Sequence, residues 1–138
     1  MHCTDIDISR FDQLWELQKN YKEEIGEEPP GEVSRDLLYD AVRDRRILFF
    51  GALDGEKLAG CCSVTVGFST FDYAPSGVFE DFYILPEYRH RGIARQLVKY
   101  AREKSGVSSM TVGCADCDVP MYESLGFSVR LGNLLAFE

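Results

Sequence analysis

The most informative segment of the sequence runs from residue 80 to residue 94 and reads Glu80-Asp81-Phe82-Tyr83-Ile84-Leu85-Pro86-Glu87-Tyr88-Arg89-His90-Arg91-Gly92-Ile93-Ala94. A largely apolar strand ends at Pro86, a basic loop follows, and after Gly92 the apolar residues recur at helical spacing: Ile93, Leu97, Val98 and Ala101. The first N–H groups of a helix have no partner within it and carry partial positive charge. Together with the arginines of the loop, they predict a site for a pyrophosphate, although a basic turn of this kind could also be a solvated helix start.

The residues before this stretch predict two helices and a β-hairpin. Residues 11–25 and a segment from Ser34 have helical spacing, and the second helix is expected to bury Leu37, Leu38, Ala41 and Val42. Two strands, residues 47–53 and 58–67, are separated by Asp54-Gly55, which is a strong hairpin signal. Ile6 and Ile8 are the only signs of an earlier strand.

The residues after it predict a parallel pair of strands. A strand over 78–85, a helix from Gly92 and a short strand over 109–113 form a crossover unit, which joins parallel strands. A short helix starting near Pro120 and a final extended stretch over 128–137 complete the order. The fold class is therefore α/β or α+β with a mixed sheet, and 138 residues fit one domain spanning residues 1–138.

Composition excludes several classes of function. The net charge of −8 argues against nucleic acid as a partner, and no apolar run is long enough to span a membrane. The N-terminus lacks the pattern of a secretory signal, so we expect a cytoplasmic protein. Five cysteines with a lone Cys114-Ala-Asp-Cys117 indicate free thiols, and the missing second ligand pair argues against a metal site.

Two motifs resemble those of the GNAT superfamily of acyltransferases. Arg89-His90-Arg91-Gly92-Ile93-Ala94 matches the Arg/Gln-x-x-Gly-x-Gly/Ala motif of that family, and Tyr122-Glu123-Ser124-Leu125-Gly126-Phe127 resembles its Tyr-Glu-x-x-Gly-Phe ending. The resemblance implies a GNAT-like mixed, mostly antiparallel, splayed sheet flanked by helices. It also implies an N-acetyltransferase that moves the acetyl group of acetyl-CoA to a primary amine by direct attack in a ternary complex.

The resemblance further implies where acetyl-CoA, the co-substrate, is bound. Its pantetheine arm would pair with the backbone of Phe82, Tyr83 and Ile84. Its pyrophosphate would lie on the loop and the helix start, for which the expected contacts are Arg89, His90, Arg91, Gly92, Ile93, Ala94 and Arg95. Ala115 stands where many relatives have an asparagine, which puts one contact to the cofactor arm in doubt.

Tyr122 and Glu80 are the expected catalytic residues. A tyrosine with an ordinary pKa near 10 stays protonated at neutral pH, so Tyr122 could protonate the departing thiolate, although it could equally be a core residue. Strict alternation places Val78, Glu80, Phe82 and Ile84 on one face and Asp81 on the other, unless a bulge intervenes. Glu80 could act as base through a water, bind a cationic substrate or pair with an arginine, and Asp81 is the alternative.

The acceptor and the partners are left open by the sequence. Glu23, Glu24, Glu27, Glu28 and Glu32 cluster between the first two helices, which suggests a polyamine or aminoglycoside acceptor, although a solvated acidic loop is the plainer interpretation. A small-molecule amine or a peptide is the expected substrate, and a homodimer is also considered. The alternatives are a protein or peptide N-acetyltransferase and a non-catalytic acyl-CoA-binding sensor or regulatory module.

Overall fold

A computed structural model describes residues 1–138. Its five strands are β1 (His2–Ile6), β2 (Leu48–Asp54), β3 (Lys57–Ser69), β4 (Ala74–Ile84) and β5 (Ser109–Thr111). Its four α-helices are α1 (Phe11–Glu24), α2 (Glu32–Arg43), α3 (Ile93–Lys104) and α4 (Val119–Ser124). Single turns of 3-10 helix occupy Ile8–Arg10, Pro86–Tyr88 and Asp116–Asp118.

The strands form one mixed sheet in the order β1-β2-β3-β4-β5. The first four strands are antiparallel neighbours, and β2 and β3 are joined by the predicted Asp54-Gly55 turn. Strands β4 and β5 are parallel, as predicted, but they pair only from Ser76–Ser109 to Val78–Thr111. Beyond Val78 the side of β4 that faces β5 has no strand partner, so the sheet is open towards Ile84.

The helices cover the two faces of the sheet and divide the core. Helices α1 and α2 pack on one face, where Phe11, Leu14 and Trp15 meet Cys61 and Tyr83 of the sheet. On the opposite face α3 packs with its predicted residues, and Ile93, Leu97, Val98 and Ala101 are all buried. This face also receives half-buried side chains from α4 and the residues just after it, listed as Tyr122, Leu125 and Phe127.

Two sequence predictions about elements are corrected, those for α2 and for residues 128–137, and the early strand expected around Ile6 is confirmed. Helix α2 buries only Val42, and Leu37 is 63% exposed, because the helix lies at the margin of the α1 face rather than over the sheet. Residues 2–6, predicted only weakly, form β1 by pairing with β2. Residues 128–138 form no strand, because no ladder of hydrogen bonds is made with them. None of the helices is long and apolar enough to cross a bilayer.

Candidate active site

A β-bulge in the middle of β4 positions the acidic residues. Tyr83 pairs with Cys61 and Glu80 pairs with Ser63, so Asp81 and Phe82 together lie opposite the single residue Cys62. Asp81 makes this possible by adopting φ 54°, a left-handed conformation that aspartate tolerates better than most residues. The bulge interrupts the alternation of side chains along β4.

The bulge corrects the predicted faces of β4. Phe82 packs with the cluster under α3, and Tyr83 packs with the cluster under α1, the reverse of strict alternation from Glu80. Glu80 lies opposite Ser63, and Asp81 also points to the α1 face, where it meets Ser63 and α1. The two carboxylates therefore share one face of the sheet, whereas strict alternation predicted opposite faces.

Asp81 is held by two hydrogen-bond donors, one for each carboxylate oxygen. Ser63 Oγ donates at 2.6 Å, and Gln18 Nε2 on α1 donates at 3.2 Å. Both donors are buried, with Ser63 1% and Gln18 8% exposed. Buried polar side chains of this kind need partners, and the carboxylate supplies one for each. Glu80, by contrast, is exposed, and its carboxylate makes no hydrogen bond or ion pair with the protein.

A cleft of about 170 Å³ joins the bulge to α1, to the strand-end after β5 and to α4. Its lining combines the two carboxylates with aromatic side chains, a lysine and a glycine: Tyr21, Lys22, Phe79, Glu80, Asp81, Phe82, Val112, Gly113 and Tyr122. The structure thus brings the two expected catalytic residues, Glu80 and Tyr122, to the same cleft. The presence of Tyr21 in the cleft was not predicted, because an apolar residue at helical spacing in α1 indicates a core residue.

Tyr122 keeps its proton at neutral pH. Its ring packs against Phe82 and Phe127, with ring centroids 6.2 and 5.8 Å away. Burial raises its pKa to about 12, with smaller contributions from Tyr21, Asp118 and Cys114. Burial and the charge of Asp81 also raise the pKa of Tyr21. The cleft therefore presents two neutral phenols beside two carboxylates.

The loop before α3 presents backbone N–H groups without protein partners. The ladder of α3 begins with Gln96 N–H donating to Gly92 O at 3.3 Å, so the first-turn N–H groups of Ile93, Ala94 and Arg95 have none within the helix. The N–H groups of residues 90–92 donate to no protein acceptor either. His90 and Gly92 have φ values of 64° and 80°, and a Cβ at Gly92 would meet nothing within 4 Å.

Arg89 is directed away from these N–H groups. Its guanidinium donates to both carboxylate oxygens of Glu24 at 2.8 and 2.9 Å, and its Nε donates to the carbonyl of Ile84 at 2.8 Å. It also lies over the ring of Tyr83, 5.5 Å from the centroid. Arg91 lies over the ring of Tyr88 at 5.4 Å. Arg89 therefore joins the loop to α1 as well as bordering the predicted pyrophosphate site.

Two of the five glutamates clustered between α1 and α2 are paired with cations. Glu24 is bound by Arg89, and Glu27 forms an ion pair with Lys22 at 3.4 Å. Glu23, Glu28 and Glu32 are exposed and unpaired. No group of three His, Cys, Asp or Glu side chains converges as metal ligands would. Cys114 and Cys117 are exposed free thiols.

Comparison with known proteins places the chain in a family. The sequence model of the acetyltransferase (GNAT) domain matches residues 45–129. A comparison with curated protein sequences gave no match. The fold resembles that of a solved "probable acetyltransferase", with 24% identity, a TM-score of 0.84 and full coverage of both chains.

Two further solved structures of similar fold are acetyltransferases named for their substrates. An aminoglycoside acetyltransferase from an uncultured soil metagenomic sample, in complex with sisomicin, is 15% identical with a TM-score of 0.80, over 99% of this chain and 94% of that one. Glucosamine-6-phosphate N-acetyltransferase from Arabidopsis thaliana is 16% identical with a TM-score of 0.76, over 99% and 97% of the two chains. Identities this low establish a common fold and leave the acceptor undetermined.

Proposed function

Because the chain belongs to the GNAT acetyltransferase family, we propose that it transfers the acetyl group of acetyl-CoA to a primary amine of a small cationic acceptor. The observation that carries this proposal is the cleft in which Glu80, Asp81 and Tyr122 meet at the open edge of β4. The cleft holds a free carboxylate, which can take a proton from the amine, and a protonated phenol, which can donate a hydrogen bond to the departing sulfur.

The residues present fit acetyl-CoA. Strand β4 has no strand partner beyond Val78 on its β5 side, and unpaired backbone of this kind can bind an extended amide-containing arm along Phe82, Tyr83 and Ile84. The N–H groups of residues 90–95 offer donors to a pyrophosphate, with Arg91 and Arg95 nearby in the sequence. When bound, acetyl-CoA supplies the acetyl group as an activated thioester.

Glu80 is the base in this proposal. The attacking amine must be neutral, and Glu80 is the carboxylate of the cleft that no protein group engages. It accepts the proton of the acceptor's ammonium through a water. Asp81 is unsuited to this step, because Gln18 and Ser63 occupy one lone pair on each of its oxygens and hold it in place. Asp81 instead supplies a fixed negative charge that anchors a cationic acceptor.

Tyr122 stabilises the departing sulfur. With its pKa raised to about 12, the hydroxyl of Tyr122 remains a hydrogen-bond donor at neutral pH. Because this pKa exceeds that of a thiol, near 8.5, Tyr122 keeps its proton and donates a hydrogen bond to the sulfur as negative charge develops there, and the thiolate takes up the proton that the attacking amine nitrogen loses. A backbone N–H of Phe82 or Tyr83 donates to the carbonyl oxygen during attack.

A cationic acceptor is supported by the charge of the cleft, which two carboxylates line. The unpaired Glu23, Glu28 and Glu32 lie on the segment from the end of α1 to the start of α2, and α1 contributes Tyr21 and Lys22 to the lining. Lys22 is the only cation in the lining, and Glu27 partly neutralises it at 3.4 Å. The aminoglycoside acetyltransferase with the same fold acts on a polycationic substrate, which is consistent with this assignment.

The test is an acetylation screen in which the released CoA thiol is measured. The panel contains polyamines, aminoglycosides, amino acids and peptides, and the double variant Glu80→Gln/Tyr122→Phe sets the background. We expect turnover of compounds with two or more ammonium groups to exceed that of matched monoamines. Turnover of peptides alone would refute the cationic small molecule and favour a peptide N-acetyltransferase. Binding of CoA without turnover of any acceptor would favour a non-catalytic module.

A further inference from the structure

A second cavity lies where β1 ends and β2 begins, and its volume of about 210 Å³ exceeds that of the cleft. Its walls come from the last residues of β1, the first residues of β2 and the C-terminal ends of α2 and α3. None of its lining residues also lines the cleft. A ligand bound here would therefore not touch the groups of the proposed active site.

Much of the cavity wall is apolar. Ile6, Val42, Phe49 and Phe50 line it and are at most 6% exposed. They belong to the core clusters on the two faces of the sheet, so this wall is part of the core rather than of a loop. Such a wall favours a ligand with an apolar body, because their contact removes apolar surface from water.

The wall also carries cations that the protein does not use. Arg45 and Lys104 make no side-chain hydrogen bond and no ion pair, although Lys104 lies 5.7 Å from the centroid of the Tyr100 ring. Arg43, by contrast, forms an ion pair with Asp44 at 2.9 Å. Two cations of the lining are therefore free to bind an anion.

The carboxylates of the same wall are engaged by neutral donors. Asp5 accepts a hydrogen bond from the Tyr100 hydroxyl at 2.9 Å, and Asp7 accepts one from the Ser9 N–H at 2.9 Å. Neither carboxylate forms an ion pair with the two free cations. The charge that this cavity offers to a ligand is therefore positive, although the net charge of the chain is −8.

Arg45 also has a strained backbone. Helix α2 ends in a Schellman motif, in which the N–H of Arg46 donates to the carbonyl of Ala41 at 2.9 Å and the N–H of Arg45 to that of Val42 at 3.2 Å. The left-handed residue of this motif is usually glycine, whereas Arg45 has φ 56°. The cost of a side chain there exceeds what an exposed cation gains from the helix dipole. The helix end alone does not account for an arginine at this position, which indicates a role in binding.

We propose that the cavity binds a small monocarboxylate with an apolar body. Its carboxylate pairs with Arg45 and Lys104, and its body lies against Phe49 and Phe50. A guanidinium suits a carboxylate because it can donate two parallel hydrogen bonds to it. An engineered apolar cavity of ~150 Å³ holds benzene, so the volume here suits a ligand of roughly ten non-hydrogen atoms. Inorganic phosphate would be a poorer ligand, because an apolar wall offers it no hydrogen bonds.

A titration of the ¹⁵N-labelled full chain with phenylacetate, followed through the amide signals, tests this site. We expect shifts confined to residues 5–8 and 42–50 and to Lys104, with a Kd of about 1 mM or lower, as is usual for a ligand of this size. Phenylacetamide keeps the shape without the charge, and acetate keeps the charge without the body. Each should bind at least ~10-fold more weakly than phenylacetate.

Three results of this titration overturn the proposal. Equal affinity for phenylacetamide would show that the cations are not used, and equal affinity for acetate would show that the apolar wall is not used. Absence of shifts at these residues up to ~20 mM phenylacetate would show that the cavity binds no such ligand.

The variant Arg45→Gly distinguishes a binding role from a structural one. It removes the guanidinium and relieves the left-handed strain, so the urea midpoint should rise while phenylacetate affinity falls by ~10-fold or more. Lys104→Gln should weaken binding as well. The matched control is Arg46→Gly, because Arg46 carries the same charge but does not line the cavity and has no left-handed backbone. It should keep the affinity and lower the midpoint.

The variants can also overturn the proposal. Unchanged phenylacetate affinity in both Arg45→Gly and Lys104→Gln would show that the two cations do not hold the carboxylate. An equal loss of affinity in Arg46→Gly and Arg45→Gly would show that only the overall charge matters, and not a site built around Arg45.

Discussion

Ser63 Oγ donates a 2.6 Å hydrogen bond to the carboxylate of Asp81, from the strand opposite the bulge. This bond, together with that from Gln18, holds Asp81 on the same face as Glu80 in spite of its left-handed backbone. The neighbouring strand and α1 therefore determine that two acidic side chains, consecutive in the sequence, line one cleft.

Ser63→Ala removes this bond without adding bulk. Because a buried hydrogen bond to a charged group contributes ~1.5–3 kcal/mol, we expect the free energy of unfolding to fall by that order. Urea unfolding measures it. If Asp81 anchors the acceptor, the KM for the acceptor should also rise while CoA affinity stays unchanged. An unchanged KM would show that the bond only stabilises the bulge.

Glu80→Gln keeps the size of the side chain and removes the proton acceptor. We expect kcat to fall by ~10²-fold or more, as is typical when a general base is lost. Activity should partly recover at alkaline pH, where the acceptor amine loses its proton without help. Asp81→Asn is the comparison, and it should mainly raise the KM for the acceptor. A large fall in kcat for Asp81→Asn, with only a higher KM for Glu80→Gln, would show that Asp81 is the base and Glu80 the anchor.

Tyr122→Phe removes one hydroxyl and keeps the ring between Phe82 and Phe127. Turnover at saturating acetyl-CoA should fall by at least ~10²-fold, with little change in CoA affinity. Tyr100→Phe is the control, because the pKa of Tyr100 is likewise raised to about 12, by burial and by Asp5, but its hydroxyl donates to Asp5 away from the cleft. Wild-type turnover of Tyr122→Phe from neutral to alkaline pH would leave the hydroxyl without a role.

Gly92→Glu places a carboxylate in the loop that the pyrophosphate would occupy. Isothermal titration should show no CoA binding, because the added charge repels phosphate and a side chain is strained at φ 80°. Gly106→Glu is the matched control: Gly106 has φ 72° and open space around it, but it follows the end of α3. Its stability should fall similarly while CoA affinity is kept. Equal CoA affinity in both variants would show that the pyrophosphate does not bind at this loop.

Sequence patterns predicted the elements that depend on residues close together in the chain. The face of α3 was predicted residue by residue, because Ile93, Leu97, Val98 and Ala101 follow the helical period. The parallel pair of β4 and β5 followed from chain connectivity. The two expected catalytic residues also share a cleft: Tyr122 was identified from a family motif and Glu80 from its position on the strand before the basic loop.

The rest depended on partners distant in the sequence. In the bulge, Asp81 and Phe82 lie opposite the single residue Cys62 of β3. The register of β4 against β3 cannot be predicted from the sequence of β4 alone. Gln18 and Ser63 were not anticipated, because a glutamine on a helix and a serine in an apolar strand have no pattern of their own. The exposure of Leu37 and the missing last strand reflect packing, which periodicity alone does not determine.

Under the proposed function, the contact between Arg89 and Glu24 connects the binding of the two substrates thermodynamically. A phosphate that recruits Arg89 must first separate it from both oxygens of Glu24, which releases the end of α1. The acceptor cleft is lined by Tyr21 and Lys22, one turn earlier on that helix. Linkage is reciprocal, so a nucleotide that loosens this helix changes acceptor affinity by the same factor that the acceptor changes nucleotide affinity.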